Sequence, residues 1–171
     1  MKKFTLFIIA FICLNHSNAQ DKLPSIFLVQ NDRVVYTDII QLPGTSEEEL
    51  YKRARRWLAY NCEMIGLDDK DILVAKISLP VKYHEFLGRY DVFYLNGNIT
   101  IQIKEARYRY LVSDLKIKLV EVYNGESLFT IFPIEEYKFL KEKDITKADV
   151  RTKDMIASLR QMMENPVEDS W

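Results

Sequence analysis

Asn96-Gly97-Asn98-Ile99-Thr100-Ile101-Gln102-Ile103-Lys104-Glu105-Ala106-Arg107-Tyr108-Arg109-Tyr110-Leu111-Val112 is the stretch whose pattern decides the fold. Ile99, Ile101 and Ile103 alternate with Thr100, Gln102 and Lys104, the period-two repeat of a strand with one buried face. Beyond Glu105-Ala106, Tyr108, Tyr110 and Val112 alternate with Arg107, Arg109 and Leu111. Two alternating runs joined by so short a connection predict an antiparallel hairpin. Asn96-Gly97-Asn98 is itself a tight-turn signal, so Phe86 to Leu95 is expected as a separate strand folded back on Ile99 to Lys104.

Working outward, Asp71 to Tyr83 alternates Leu73, Ala75, Ile77, Leu79, Val81 and Tyr83 with a more polar set including Lys76, Ser78 and Lys82. That predicts another strand with one buried face. Downstream, Leu115, Ile117 and Leu119 alternate in the opposite phase from Tyr108 to Val112, and a bulge near Ser113-Asp114 reconciles the two. Asn124-Gly125 marks a second hairpin, running into Leu128 to Phe132.

Helices flank this meander. Ser46 can cap a helix and Glu49 complete a capping box, with Glu47, Glu48 and Glu49 suited to the positive end of the helix dipole. Leu50, Ala54, Trp57, Leu58, Cys62 and Ile65 then form one apolar stripe, and Gly66 is placed to end it. Upstream, Arg33 to Leu42 reads as a strand ending at Pro43-Gly44, and Ile26 to Val29 as a short strand before an Asn31-Asp32 turn. After Pro133 comes a short helical stretch over Ile134 to Leu140, a charged linker over Lys141 to Lys147, and a helix from about Thr146. That helix sets Val150, Met155 or Ile156, Leu159 and Met162 or Met163 on one side and ends before Pro166.

The first residues have another character. Met1-Lys2-Lys3 is a positive start, Phe4 to Leu14 an apolar run interrupted by Thr5, and Asn15 to Ala19 a polar stretch with a small end. This is the pattern of a removable secretory signal cleaved between Ala19 and Gln20. The run is shorter than the roughly 20 residues a spanning helix needs, so no stable membrane anchor is expected after cleavage. Cys13 follows Phe11 and Ile12, too bulky for a lipoprotein signal. The organisation is then signal 1–19, lead-in 20–32, one domain over 33–165, and a frayed tail over 166–171, in a periplasmic or secreted protein. Only Cys62 survives cleavage, so no internal disulfide can form, and a buried small hydrophobe is its expected role. Lys plus Arg number 24 against 25 Asp plus Glu, a net charge of −1. Loss of Lys2 and Lys3 makes the mature form more acidic, unlike a general nucleic-acid binder.

The Val35-Tyr36 strand, Glu49-Leu50-Tyr51 and Ala54 to Leu58 with their Tyr-x-x-Ala-x-x-Trp-Leu core, and the Gly97-Asn98 to Tyr110 hairpin resemble a family of uncharacterised exported bacterial domains with a TATA-binding-protein-like fold. The resemblance covers roughly residues 33 to 120 and implies an α+β fold of order β-α-β-β-β-β-α: a curved antiparallel sheet with two helices packed on one face. The hairpin from Lys116 to Phe132 is an extra C-terminal addition. The resemblance implies no activity.

Catalytic and metal chemistry find little support. His84 has no second histidine four positions on and is expected in an exposed turn, and Asp68, Asp69 and Asp71 lack the glycine and distal glutamate of a calcium loop. No phosphate loop or nucleophile elbow is present, and no metal or cofactor is expected. Asp91 with Glu105 is a conceivable acid-base pair if folding brings them together. The outer sheet face is more suggestive, for Lys76, Arg89, Asp91, Thr100, Gln102, Lys104, Arg107 and Arg109 are expected side by side. TATA-binding protein lays apolar residues of its sheet on the minor groove, whereas here the face is charged. The binding residues expected are Lys104, Arg107, Arg109, Arg89 and Lys76. The function expected is a non-enzymatic binding or assembly module of the bacterial envelope with a protein or glycan partner. The alternative is an envelope hydrolase using carboxylates.

Overall fold

The computed structural model describes residues 27–86, 89–123, 126–136 and 140–165. The readings made on the signal 1–19, on 20–26 and on the tail 166–171 lie outside the described residues. The elements run β1 (Val29–Gln30), β2 (Arg33–Val34), β3 (Tyr36–Gln41), α1 (Glu47–Asn61), β4 (Met64–Asp68), β5 (Ile72–Phe86), β6 (Arg89–Lys104), β7 (Arg107–Tyr123), β8 (Glu126–Pro133), a 3-10 turn η1 (Ile134–Glu136) and α2 (Glu142–Glu164). The architecture is α+β, with an antiparallel sheet in the order β3-β7-β6-β5-β4 and β8 added to β7.

The period-two residues fall as their pattern dictates. Leu73, Ala75, Ile77, Leu79, Ile99, Ile101, Ile103, Tyr108, Tyr110 and Val112 are all buried on the face that the helices cover. β6 occupies one side of β7 along most of its length. On the other side lie β3, paired with Arg107 to Val112, and β8, paired with Lys116 to Tyr123, one after the other.

Gly97 is the main departure from the sequence reading. It lies inside β6, which runs unbroken from Arg89 to Lys104, so the strands expected at 86–95 and 99–104 are one. Asn96 pairs with Lys116 and Asn98 with Ser113, leaving Gly97 opposite both Asp114 and Leu115. This is the bulge expected near Ser113-Asp114, with Asp114 at φ 52°. A Cβ on Gly97 would stand 2.8 Å from Leu115 Cδ2 and 2.9 Å from the Ser113 carbonyl oxygen. Glycine is there for backbone approach, not for a reversal of the chain.

Gly66 is corrected likewise. α1 ends at Asn61 with Cys62 as its C-cap, and Gly66 is the extra residue of β4, where Ile65 pairs with Ala75 and Leu67 with Val74. His84 stands in β5, beside the register shift between Lys82 and Glu85, rather than in a turn. The strand expected over Arg33 to Leu42 splits, with β2 turning back on β1 through Asn31 and Asp32, whose φ of 51° and 60° suit a two-residue hairpin turn. Phe27 packs edge-on to Tyr36 at 6.4 Å between ring centroids, so residues 27–32 join the domain and are no lead-in.

α1 is capped as read: the Ser46 hydroxyl oxygen accepts from the Glu49 N–H at 3.3 Å, while the Glu49 carboxylate turns to Arg53 at 2.7 Å. Leu50, Ala54, Trp57 and Leu58 are buried. α2 starts at Glu142, so the charged residues 142–147 are helix and not linker, and Val150 is 51% exposed rather than on the apolar side. Ile145, Ala148, Thr152, Met155, Ile156, Leu159 and Met163 make the buried stripe. The helices are tied by Trp57 Nε1 donating to Ser158 Oγ at 2.9 Å and by Arg53 Nη1 donating to the Met163 carbonyl at 2.6 Å.

Candidate functional site

Among the described residues no helix covers the other face of the sheet. On it Arg107 pairs with Lys104 on one side and Gln41 on the other, while Arg109 lies between Gln102 and Ile39. Strands about 4.8 Å apart therefore set three cationic side chains next to one another. Ile39, Gln102, Lys104, Arg107, Tyr108 and Arg109 line a groove of about 240 Å³.

Local hydrogen bonds hold one wall. The Thr37 hydroxyl donates to the Tyr110 carbonyl at 2.8 Å and accepts from Arg109 Nε at 3.3 Å. Arg109 is otherwise exposed, and a guanidinium can grip a carboxylate or phosphate through two parallel bonds. Among the described residues no acid pairs with Lys104, Arg107 or Arg109. By contrast Lys52, Arg53, Arg55, Lys147, Lys153 and Arg160 each hold a carboxylate.

Of the five residues expected to bind, the structure brings together Lys104, Arg107 and Arg109. Lys76 is exposed on the same face but pairs with Asn98 and Met64, away from the groove. Arg89 begins β6, at the opposite end from Lys104, and its side chain lies outside the described residues. The acid pair fares no better, for Asp91 is near that far end of β6 while Glu105 follows Lys104 in the turn. Glu105 Oε2 accepts from the Glu47 N–H at 3.2 Å. No group of three or more metal-ligating side chains occurs among the described residues. Cys62 is half-buried against the core, and burial pushes its thiol up to about 11.

Sequence reasoning missed a polar seam beneath the sheet edge. Tyr36 OH donates to Asp149 Oδ1 at 2.9 Å, and Asp149 Oδ2 holds Lys153 Nζ at 2.8 Å. Burial, followed by the Asp149 carboxylate, pushes the Tyr36 phenol well above its ordinary range. About two turns beyond Lys153, Arg160 Nη2 donates to Asp38 Oδ2 at 2.8 Å and to Tyr110 OH at 3.1 Å. The available signal was a helix whose inward positions carry Asp149 and Thr152 where a plain apolar stripe has aliphatics.

Fold and face define a TBP-like α+β domain: a sheet covered by helices on one side and, among the described residues, open on the other. Residues 36–118 match the model of the DUF4468 family, described as a domain of unknown function with TBP-like fold. A TBP-like protein from Parabacteroides distasonis ATCC 8503 superposes with a TM-score of 0.68 at 11% identity, over 83% of this chain and 99% of its own. A DUF4468 family protein from Bacteroides ovatus ATCC 8483 superposes with a TM-score of 0.62 at 15% identity, over 88% and 98%. No curated protein matches the chain in sequence.

Proposed function

We propose that the protein is an exported, non-enzymatic binding module of the bacterial envelope, which uses Lys104, Arg107 and Arg109 to hold a carboxylate or phosphate on a protein or glycan partner. The observation that carries this reading is the concentration of unpaired cations on an open sheet face, in a molecule whose helix cations are largely neutralised. Ile39, 56% exposed in the same groove, offers an apolar contact beside the charges. Export is supported by the pattern from Met1 to Ala19.

The test replaces Lys104, Arg107 and Arg109 together by Ser and compares cross-linking to envelope components from the native host. Thermal stability stays close to the parent's, since each exposed change is worth about 0.5 kcal/mol or less. Capture is lost in the variant, and in the parent it weakens as salt rises and the roughly 10 Å screening length of 0.1 M salt contracts. Undiminished capture by the triple variant overturns the assignment. So does a hydrolytic activity that survives the triple change and is abolished by an acidic-residue substitution. Mass spectrometry of the envelope fraction is expected to find a chain starting at Gln20, and an intact Met1 there overturns the export reading.

A further inference from the structure

The groove leaves β8 unexplained. Ser127-Leu128-Phe129-Thr130-Ile131-Phe132 is an uncharged strand, and its hydrogen-bonded neighbour in the sheet is β7. Its other edge borders no strand among the described residues. Ser127 to Ile131 are all exposed, with Leu128 at 53%, Phe129 at 56% and Ile131 at 57%. An open strand edge presents a row of backbone donors and acceptors, and monomeric proteins usually guard such edges with charge, proline or a covering loop. Here Pro133 stands only at the inner end, and Lys118 lies over the Phe129 ring at 4.4 Å, on the face and not on the edge.

We infer that β8 is a homodimer interface, in which the β8 edges of two copies pair antiparallel about a two-fold axis perpendicular to the sheet. An uncharged strand can pair with its own copy under that symmetry, because Leu128 of one copy meets Leu128 of the other and Phe129 meets Ser127. The charge running along the hairpin favours the same arrangement. Lys116 and Lys118 lie at its base, opposite Pro133 and Ile131, while Glu121 and Glu126 lie towards its tip, opposite Leu128 and Tyr123. Antiparallel copies set the acidic end of one beside the basic end of the other, and parallel copies stack like ends.

The base of β8 is hemmed in by η1, where the Val34 N–H donates to Glu135 Oε1 at 2.8 Å. Pairing is therefore centred on the outer half of the strand, with Leu128 facing its own copy and Ser127 facing Phe129. Because a perpendicular two-fold preserves the faces of a sheet, both basic grooves emerge on the same side of the joined sheet. The dimer does not depend on what the grooves bind.

Sedimentation velocity across a concentration series tests this. The purified chain is expected to move from monomer to dimer mass as concentration rises, and Phe129→Lys to remain monomeric with the parent's melting curve. In a Cys62→Ser background, Leu128→Cys is expected to form an intermolecular disulfide on mild oxidation, because directly opposed residues bring Cβ atoms within about 4.5–5.5 Å. Tyr60→Cys, exposed on α1, is the control expected not to link. A chain that stays monomeric throughout, a dimer that survives Phe129→Lys, or Leu128→Cys linking no faster than Tyr60→Cys overturns the inference. So does a monomer whose β8 cross-links only to a different protein. Should Phe129→Lys fail to fold, the Leu128→Cys rate alone decides.

Discussion

Gly97 shows how one residue type can carry two opposite messages. Beside asparagine it reads as a reversal of the chain, yet here it admits the Ser113 carbonyl and the Leu115 side chain to within 3 Å of where a Cβ would sit. Gly97→Ala is expected to cost about 1–3 kcal/mol in denaturant unfolding, the usual range for overpacking a filled site. Trp57 gives the complementary case, because its place in the stripe between Ala54 and Leu58 was legible. It is 1% exposed, and Trp57→Ala is expected to cost about 3–5 kcal/mol. Trp57→Phe, which keeps most of the ring packing but loses the bond to Ser158, is expected to cost nearer 1 kcal/mol. Cys62 adds a pH dependence. Burial raises its thiol from 9.0 to about 11, so the folded protein keeps the proton that the unfolded chain gives up first. The stability this contributes is intact below about pH 9 and is lost as pH rises towards 11. Cys62→Ala is expected to flatten the melting temperature over that interval, and an unchanged slope would assign the alkaline loss to other groups.

Strands were easier to read than helix ends because alternation is a strong signal, whereas a helix end depends on what lies beyond it. The buried residues of β5, β6 and β7 coincide with the period-two pattern. The end of α1 was set too late because Cys62 and Ile65 continue a helical spacing that β5 recruits instead, pairing Ile65 with Ala75. The start of α2 was set too late for the opposite reason. Glu142, Lys143, Asp144 and Lys147 read as linker, yet Asp144 is buried and held by Lys147 at 3.2 Å. In the groove, the turn at Glu105-Ala106 and the alternation on each side of it were enough to bring Lys104, Arg107 and Arg109 together. Lys76 and Arg89 were grouped with them because sequence gives the face of a strand but not the lateral distance across a sheet. Nothing in the sequence announced that Arg53 would be buried at the junction of the two helices. It bridges Glu49 on its own helix and the last turn of α2, where a cation also meets the negative end of the dipole. Arg53→Leu is expected to cost about 1.5–3 kcal/mol, the range for hydrogen bonds to a charged group, and to raise amide exchange in the final turn of α2 first.

Several contacts of β2 and β3 are made with residues late in the chain. Thr37 binds the Tyr110 carbonyl 73 positions on, the Val34 N–H reaches Glu135 after 101, Tyr36 reaches Asp149 after 113, and Asp38 meets Arg160 after 122. A chain ending at Leu140 would lack α2, which packs on β5 and on α1. It is expected to show no cooperative unfolding transition, and a sharp transition in that fragment would mean that the sheet stands by itself. The pairing of β3 with β7 also has a consequence in time. A ribosome releases the first strand long before the strand that receives it, and long-range closure is the slow kind of folding step. Until Val112 and then Arg160 have been made, β3 lacks its neighbour in the sheet and its polar contacts with α2. For a chain read as bound for export, that delay is the interval in which a translocation channel can take it.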